Sequence, residues 1–318
     1  MKQIIKLKDI ADKAGVSINT VSRALRDCSD IGEETKNKIK KIAQELEYVP
    51  NGVSYFMRSG KTNLIGIVVS SATNPYFTIC ANEIVNKIQK YNYFGMILVS
   101  NGVFDKDLLF TLLQNRVCGI ISFSDIDQSV SDYCYKNKIP MVLVGIKSKS
   151  KGISSLYPDN YYCGQLVGKE FLNQYRNKPC YINCMSVSVN ADRRQGFFDV
   201  LSSHNIHCDE YNCRFEDGPI INHNVAEQII QNKNDFIFCF NDEIASVIID
   251  LLDKENYTDY SIFGVDALSS YLCICKKIPS VGADYKYISD RCTDILMKKI
   301  NHDDCDYQEV YPISLIKS

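Results

Sequence analysis

Tryptophan is absent from this 318-residue sequence, histidine is rare, and the cysteines are not arranged as metal ligands. There are four histidines, and the fourteen cysteines include no Cys-x-x-Cys pair. Zinc sites need closely spaced cysteine or histidine ligands, so the sequence predicts no bound metal and no cofactor. Cysteines scattered singly along a chain are typical of free thiols in a reducing compartment.

Long apolar runs and catalytic motifs are also missing. No run is long enough to cross a bilayer, and the first residues lack the hydrophobic segment of a signal peptide. We therefore expect a cytoplasmic protein that does not associate with a membrane. The Gly-x-Ser-x-Gly, phosphate-loop and His-Glu-x-x-His motifs are absent, and no histidine is paired with a nucleophile. These absences predict a protein that is not an enzyme and has no catalytic residues.

The net charge of −2 conceals a basic N-terminal segment. Residues 1–62 carry 12 Lys and Arg against 8 Asp and Glu, whereas the other 256 residues carry 24 against 30. The first segment therefore has a balance of +4, and the rest of the chain has a balance of −6. A small basic segment on an acidic body indicates that only this segment meets a polyanion such as DNA.

The basic segment has the pattern of a small all-α domain. Apolar residues recur at helical spacing in three stretches before Pro50. Gly15 ends the first predicted helix and Ser17 caps the second, and this short break forces the two helices to cross steeply. The pattern therefore predicts a helix-turn-helix head in residues 1–50.

The second predicted helix uses its apolar side for the core, so its outer side is available to enter a major groove. Asn19 can bond to adenine, Arg23 to guanine, and Ile18 can contact a thymine methyl. The remaining polar groups of this helix suit phosphates: Ser17, Thr20, Ser22 and Arg26. The alternative is a three-helix bundle with an ordinary solvated face.

Residues 51–62 can form at most two helical turns, and isolated helices this short are unstable in water. They combine large apolar side chains with flanking cations, which a wedge inserted into the minor groove requires. We predict a hinge here in which Asn51, Ser54 and Met57 contact DNA. The alternative is a linker whose apolar residues pack on the following domain.

These stretches together resemble the lactose-repressor (LacI) family of bacterial transcription regulators. The similarity is carried by KDIADKAGVSINTVSRAL, GEETKNKIKKIAQELEYVPN and RSGKTNLIGIVV, and it continues in one register to the C-terminus. The resemblance implies that Ile18, Asn19 and Arg23 occupy the main base-reading positions. It also places Met57 where the family usually has the leucine that intercalates at the centre of the operator.

After the hinge, apolar strands alternate with helices, which predicts an α/β fold with parallel sheets. The alternation restarts at PCYINCMSV and indicates a second lobe. The resemblance implies a periplasmic-binding-protein-like body of two doubly wound parallel-sheet lobes in residues 63–318. One lobe would comprise approximately residues 63–159 plus 284–308, and the other approximately residues 160–283 plus 309–318.

Polar and aromatic residues at the predicted strand ends are candidate effector contacts, because such sheets bind ligands at the carboxyl ends of their strands. The candidates, of which Asp159 and Arg193 also match family positions, are Asn74, Tyr76, Phe77, Asp159, Arg193, Asn241, Asp242 and Asp266. Residues of these types bond hydroxyls and stack on sugar rings, so they predict a sugar or a sugar phosphate. The alternative is that each Asp or Asn only caps the next helix.

We therefore predict a homodimeric, sequence-specific transcriptional regulator that represses from a pseudo-palindromic operator in double-stranded DNA. An effector that closes the two lobes would change the spacing of the hinges, acting as an inducer or as a corepressor. The alternative is a cytosolic carbohydrate-binding protein whose head is a protein-interaction module.

Overall fold

The structure is a computed structural model, and it describes residues 5–48, 62–184, 190–215, 219–220, 224–271, 277–303 and 305–317. The chain forms two compact units, Met1–Thr62 and Asn63–Ser318. Within the described ranges, no helix combines the length and the apolar character needed to cross a membrane. The predicted fold class, an all-α head with an α/β body, is confirmed.

The head is a three-helix bundle whose turn has the predicted geometry. Its helices are α1 (Leu7–Ala14), α2 (Ile18–Ala24) and α3 (Glu33–Glu45). Gly15 ends α1 in the left-handed region at φ 73°, and the Thr20 N–H donates to the Ser17 side chain over 3.1 Å at the start of α2. The apolar faces of the helices meet in one core, formed by Ile10, Ala11, Ala14, Val21, Ala24, Ile39, Ile42 and Ala43. This core orients α1 and α2 as a helix-turn-helix.

The first sheet of the body is entirely parallel. Its strands are β1 (Leu64–Val69), β2 (Phe94–Val99), β4 (Gly119–Ser122), β6 (Met141–Val144), β7 (Ser154–Pro158) and β14 (Gln308–Tyr311). They lie in the order β14-β7-β6-β4-β1-β2. The helices that cover its two faces are α4 (Pro75–Gln89), α5 (Lys106–Gln114), α6 (Gln128–Lys136) and α11 (Tyr285–Ile300). A separate short pair is formed by β3 (Val103–Phe104) and β5 (Asp125–Ile126).

The second sheet is parallel at its centre and has a short antiparallel strand at each edge. Its strands are β8 (Pro179–Cys184), β9 (Asp209–Phe215), β10 (Pro219–Ile220), β11 (Phe236–Cys239), β12 (Ser261–Val265), β13 (Ser280–Gly282) and β15 (Ser314–Ile316). They lie in the order β10-β9-β8-β11-β12-β13-β15, with β10 and β15 antiparallel to their neighbours. Its helices are α7 (Asn160–Leu172), α8 (Asn190–Ser203), α9 (Asn224–Asn232) and α10 (Asp242–Lys254).

The chain passes between the two sheets three times. It crosses between β7 and α7, between β13 and α11, and between β14 and β15. The predicted boundary at residues 308 and 309 falls inside β14 and is corrected here, because residues 308–311 pair with β7 in the first sheet. The crossing comes instead after Tyr311, where Pro312 lacks the N–H needed to continue a ladder.

Candidate functional site

A cavity of about 830 Å³ opens at the carboxyl ends of strands from both sheets. Its wall includes segments that follow β1, β4 and β6 of the first sheet and β11, β12 and β13 of the second. This is where parallel α/β sheets bind ligands, because loops from several strands converge there. The predicted location of the ligand site at the strand ends therefore coincides with a cavity of ligand size.

Aromatic rings from both lobes form one part of the cavity wall. They are Tyr76, Phe77, Phe123, Phe240, Tyr285 and Tyr311. Tyr76 contacts Phe123 and Tyr285 edge to face, with ring centroids 6.1 and 5.7 Å apart. These contacts hold the rings in place and leave an apolar surface on which a flat or ring-shaped ligand can stack. The predicted contacts Tyr76 and Phe77 both belong to this wall.

Arg193 is the buried cation of the cavity, with 8% of its surface exposed. Its Nε donates to Asn160 Oδ1 over 2.8 Å, and its Nη1 donates to the Phe240 carbonyl over 3.0 Å. The guanidinium also lies over the Phe240 ring, 5.1 Å from the centroid. These three interactions fix the orientation of the guanidinium, so Arg193 presents a preorganised donor to the cavity.

Asp266 is the acidic counterpart of Arg193 on the wall. Burial raises the pKa of Asp266 to about 7, with the nearby Arg193 lowering it and Glu243 raising it. Its backbone lies at φ 106°, a conformation that non-glycine residues rarely adopt, and its carbonyl accepts from the Tyr285 hydroxyl. Strained residues of this kind persist where the surrounding structure holds them for function.

Asn74 and Asn241 combine the two roles that the sequence left open, namely lining the ligand site and capping a helix. Each lies on the cavity wall, and each also caps the helix that follows it. Asn74 Oδ1 accepts from the Tyr76 N–H over 2.9 Å, and Asn241 Oδ1 accepts from the Ile244 N–H over 3.0 Å. Capping engages the side-chain oxygen, and the amide nitrogen of each residue stays available as a donor toward a ligand.

Two predicted effector contacts, Asp159 and Asp242, lie outside the described cavity wall and form hydrogen bonds within the fold. Asp159 is outside the described cavity wall and caps α7, because its carboxylate accepts from the Tyr162 N–H over 2.8 Å. Asp242 is turned away from the wall and is only 4% exposed. It accepts from Ser280 Oγ over 2.6 Å and from the Leu268 N–H over 2.7 Å, which fixes the loop after β12.

Leaving tyrosines aside, the predicted set omits seven polar wall residues, namely Ser70, Ser71, Thr73, Asn101, Asp125, Asn160 and Glu243. Asn160 and Glu243 each directly follow a predicted contact that lies outside the described wall. The available signal was the helix N-cap: the cap residue points at its own backbone, so a neighbouring residue of the first turn faces the ligand.

The protonation of Asp242 gives a testable pH dependence. Burial and then the neighbouring Asp266 raise the pKa of Asp242 from 3.8 to about 8. The folded state therefore binds a proton that the unfolded state lacks, so the free energy of unfolding should fall as the pH rises from about 4 to about 8. Asp242→Asn can still accept from the Leu268 N–H and removes this titration. We expect the free energy of unfolding of the variant to exceed that of the wild type by a few kcal/mol at pH 8.

Urea unfolding of both proteins between pH 5 and pH 8 measures this difference. The gap should close as the pH is lowered, because protonated Asp242 and asparagine are both neutral. A gap that stays constant across this range would contradict the raised pKa of Asp242.

The outer face of α2 carries the predicted DNA contacts. Ser17, Ile18, Asn19 and Arg26 are exposed, and Thr20 and Arg23 are partly exposed. Ser22, the remaining predicted contact of this helix, is only 6% exposed.

Two arginines of this surface already have partners within the head. Arg23 forms an ion pair with Asp30, and Arg26 Nε donates to the Ser22 carbonyl over 2.8 Å. These contacts hold both guanidiniums close to α2. The three predicted hinge contacts, Asn51, Ser54 and Met57, lie outside the described residues.

A helix-turn-helix head on a two-lobed α/β body with a ligand cavity defines the class of ligand-controlled DNA-binding regulators. Residues 6–51 match the family described as "Bacterial regulatory proteins, lacI family". Residues 62–302 match "Periplasmic binding proteins and sugar binding domain of LacI family". The chain belongs to the LacI family. It is accordingly a DNA-binding transcriptional regulator and not an enzyme.

Individual relatives and solved structures agree with this assignment. The HTH-type transcriptional repressor PurR of Photobacterium profundum is 26% identical, with 93% of each chain covered. The sucrose operon repressor of Pediococcus pentosaceus is also 26% identical, with 98% of each chain covered. The crystal structure of the lac repressor dimer bound to operator and the anti-inducer ONPF has a TM-score of 0.84 at 18% identity, covering 99% of this chain and 98% of that one. This last likeness shows a common fold.

Proposed function

We propose that this protein is a homodimeric repressor whose binding to a pseudo-palindromic operator is controlled by a sugar bound in the cavity. The outer face of α2 carries the proposal: Ile18, Asn19 and Arg23 project from a helix whose opposite side is committed to the core. Residues 1–50 would bind DNA, 51–62 would link the units, and 63–318 would bind the effector and dimerise.

The chemistry of the cavity supports a sugar effector. Sugar rings present an apolar face and a rim of hydroxyls that both donate and accept hydrogen bonds. The aromatic rings of the cavity wall can stack on the apolar face of the sugar. The polar wall residues that can bond its hydroxyls are Asn74, Arg193, Asn241 and Asp266. A ligand that contacts both lobes through these groups favours the closed arrangement, and this difference in affinity is what couples the cavity to DNA binding.

The edge of the first sheet supports a homodimer. Strand β2 lies at that edge, and Phe94, Ile97 and Val99 are 60%, 50% and 37% exposed along it. An exposed apolar edge strand is prone to association, and natural proteins cover it. A second copy would cover it and would also supply the second head, since a single small DNA-binding module buries too little surface for tight specific binding.

The cysteines support a cytoplasmic location. None of the twelve cysteines that the structure describes forms a disulfide, and most of them are buried. Free thiols are kept in reducing compartments.

The hinge would contribute to DNA binding as well. Its residues Asn51, Ser54 and Met57 would enter the minor groove between the two heads.

The decisive experiment measures sequence-specific binding by the full chain. Duplexes selected from a randomised pool should converge on a pseudo-palindrome. Arg23→Ala should then weaken binding to the selected duplex by about 10- to 100-fold, because one paired contact to a base is lost. Binding to unrelated DNA at the same salt concentration should weaken far less, because that binding depends on phosphates.

Lys13→Ala is the matched control, since it removes the same charge from α1 and not from the recognition helix. It should weaken binding to all duplexes alike. Equal losses for Lys13→Ala and Arg23→Ala on the selected duplex would mean that α2 does not read bases. A pool that converges on no sequence would overturn the repressor assignment.

A further inference from the structure

We propose that the effector is an unphosphorylated sugar and that Glu243 determines this specificity by accepting a hydrogen bond from one of its hydroxyl or ammonium groups. This inference rests on the proposed sugar effector and narrows its chemical class. Three observations carry it: the charge of the wall, the capping of the helices that open on it, and the position of Glu243.

The charge of the cavity wall disfavours an anionic ligand. Three carboxyl groups, those of Asp125, Glu243 and Asp266, share the wall with a single cation, Arg193, so acids outnumber bases even though Asp266, with a pKa of about 7, is only partly ionised at neutral pH. The wall has no lysine and no second arginine among the described residues. Like charges brought together at a buried interface cost several kcal/mol. A phosphate ester would add negative charge to a site that already holds an excess of it.

Side-chain caps reduce the number of free N–H donors at the helix N-termini that open on the cavity. Phosphate sites of this kind use uncapped backbone N–H groups in the first turn of a helix. At the start of α4, Pro75 has no N–H and the Tyr76 N–H donates to Asn74. At the start of α10, the Ile244 N–H donates to Asn241. Side-chain caps therefore occupy donors that a phosphate would use.

Glu243 is the wall residue with an unmet hydrogen-bonding capacity. It is the second residue of α10, and its Oε2 is buried without a hydrogen-bond partner among the described residues. Burial also raises the pKa of Glu243. A glutamate in the first turn stabilises a helix through the helix dipole, but that effect does not require Oε2 to be buried. Buried polar atoms without partners are rare in folded proteins, and a rotation of the Glu243 carboxylate that brings Oε2 to a ligand donor at the cavity wall would supply this one with a partner.

The test compares neutral sugars with their phosphate esters on the full chain. The probes are ribose, glucose, fructose and sucrose, each beside its terminal monophosphate, with glucosamine as the ammonium-bearing probe. Isothermal titration calorimetry should show binding of at least one neutral or amino sugar. The matching ester should bind at least ~100-fold more weakly.

Glu243→Gln keeps the shape of the side chain and removes its charge. It should weaken binding of the sugar by about 10-fold and reduce the discrimination against the ester by a similar factor. Without ligand, it should melt about 2–4 °C above the wild type, because an unpaired buried carboxylate has been removed. Glu255→Gln, an exposed carboxylate just past the other end of α10, is the matched control and should change none of these values.

The outcomes separate this inference from the proposed function. If an ester binds as tightly as its parent sugar, or if Glu243→Gln behaves as Glu255→Gln does, this inference is wrong and the sugar-controlled repressor stands. If no probe binds, the sugar effector fails and this inference fails with it, while operator binding is judged separately by the Arg23→Ala experiment.

Discussion

Replacing Gly164 with alanine should destabilise the second lobe by about 3 kcal/mol or more. A Cβ atom at Gly164 on α7 would lie 2.0 Å from the carbonyl oxygen of Arg193 and 2.6 Å from the backbone nitrogen of Phe197, both on α8. Gly196 on α8 makes the reciprocal approach, since its Cβ would lie 2.0 Å from the Tyr161 carbonyl oxygen. Backbone atoms cannot rotate aside as a side chain can, so the two helices would have to separate.

The separation of α7 from α8 would also disturb the cavity. Asn160 begins α7 and Arg193 lies on α8, and their 2.8 Å hydrogen bond spans the two helices. A shift of about one ångström breaks such a bond. Gly164→Ala should therefore lose ligand-induced stabilisation as well as stability, and both losses can be followed by thermal unfolding with and without the sugar that binds.

Gly66→Ala is the control for this experiment. The three atoms nearest to a Cβ at Gly66 in β1 would all belong to the Leu112 side chain, with Cδ2 at 2.9 Å, and the end of a leucine can move. Gly66→Ala should therefore lower the free energy of unfolding by about 1 kcal/mol. If Gly164→Ala and Gly66→Ala unfold at the same urea concentration, the close approach of α7 and α8 is not needed for stability.

The sequence predicts the parts of the fold that local chemistry determines. Gly15 and Ser17 fix the ends of two helices within three residues, so the helix-turn-helix follows from the chain itself. Continuous apolar runs predict the central parallel strands because both faces of those strands are buried. The antiparallel edge strand β15 depends on a partner more than thirty residues away, and a strand of three residues has too little pattern to show its direction.

The sequence predicts part of the candidate site and misses wall residues, such as Asn101 and Asp125, that adjoin no predicted contact. Asn74, Arg193, Asn241 and Asp266 lie on the cavity wall because parallel strands bring their carboxyl ends to one edge. The strand pattern does not determine which of two adjacent residues at a helix start faces the cavity. Successive residues of a helix point about 100° apart, so packing decides which of two neighbouring acids faces the ligand. At α10 the neighbour Asp242 bonds the loop after β12, and Glu243 faces the cavity.

Arg193→Ala should have the largest effect on ligand response. The substitution removes the donors to Asn160 Oδ1 and to the Phe240 carbonyl, and it leaves Asp266 without the charge that lowers its pKa. Removing one partner of a buried charged group costs about 3–5 kcal/mol. We expect sugar affinity to fall by at least ~100-fold, and the pKa of Asp266 to rise further above 7.

Two variants distinguish the role of Arg193 from a general loss of charge. Arg193→Lys keeps the charge but cannot bond Asn160 and Phe240 in the same geometry, so its affinity should fall between those of the wild type and Arg193→Ala. Arg194→Ala removes the next arginine on α8, which pairs with Glu210 and lies off the cavity wall. It should cost about 1 kcal/mol of stability and leave ligand binding unchanged. Equal losses of ligand response in Arg193→Ala and Arg194→Ala would mean that the loss comes from α8 as a whole and not from the guanidinium at the cavity wall.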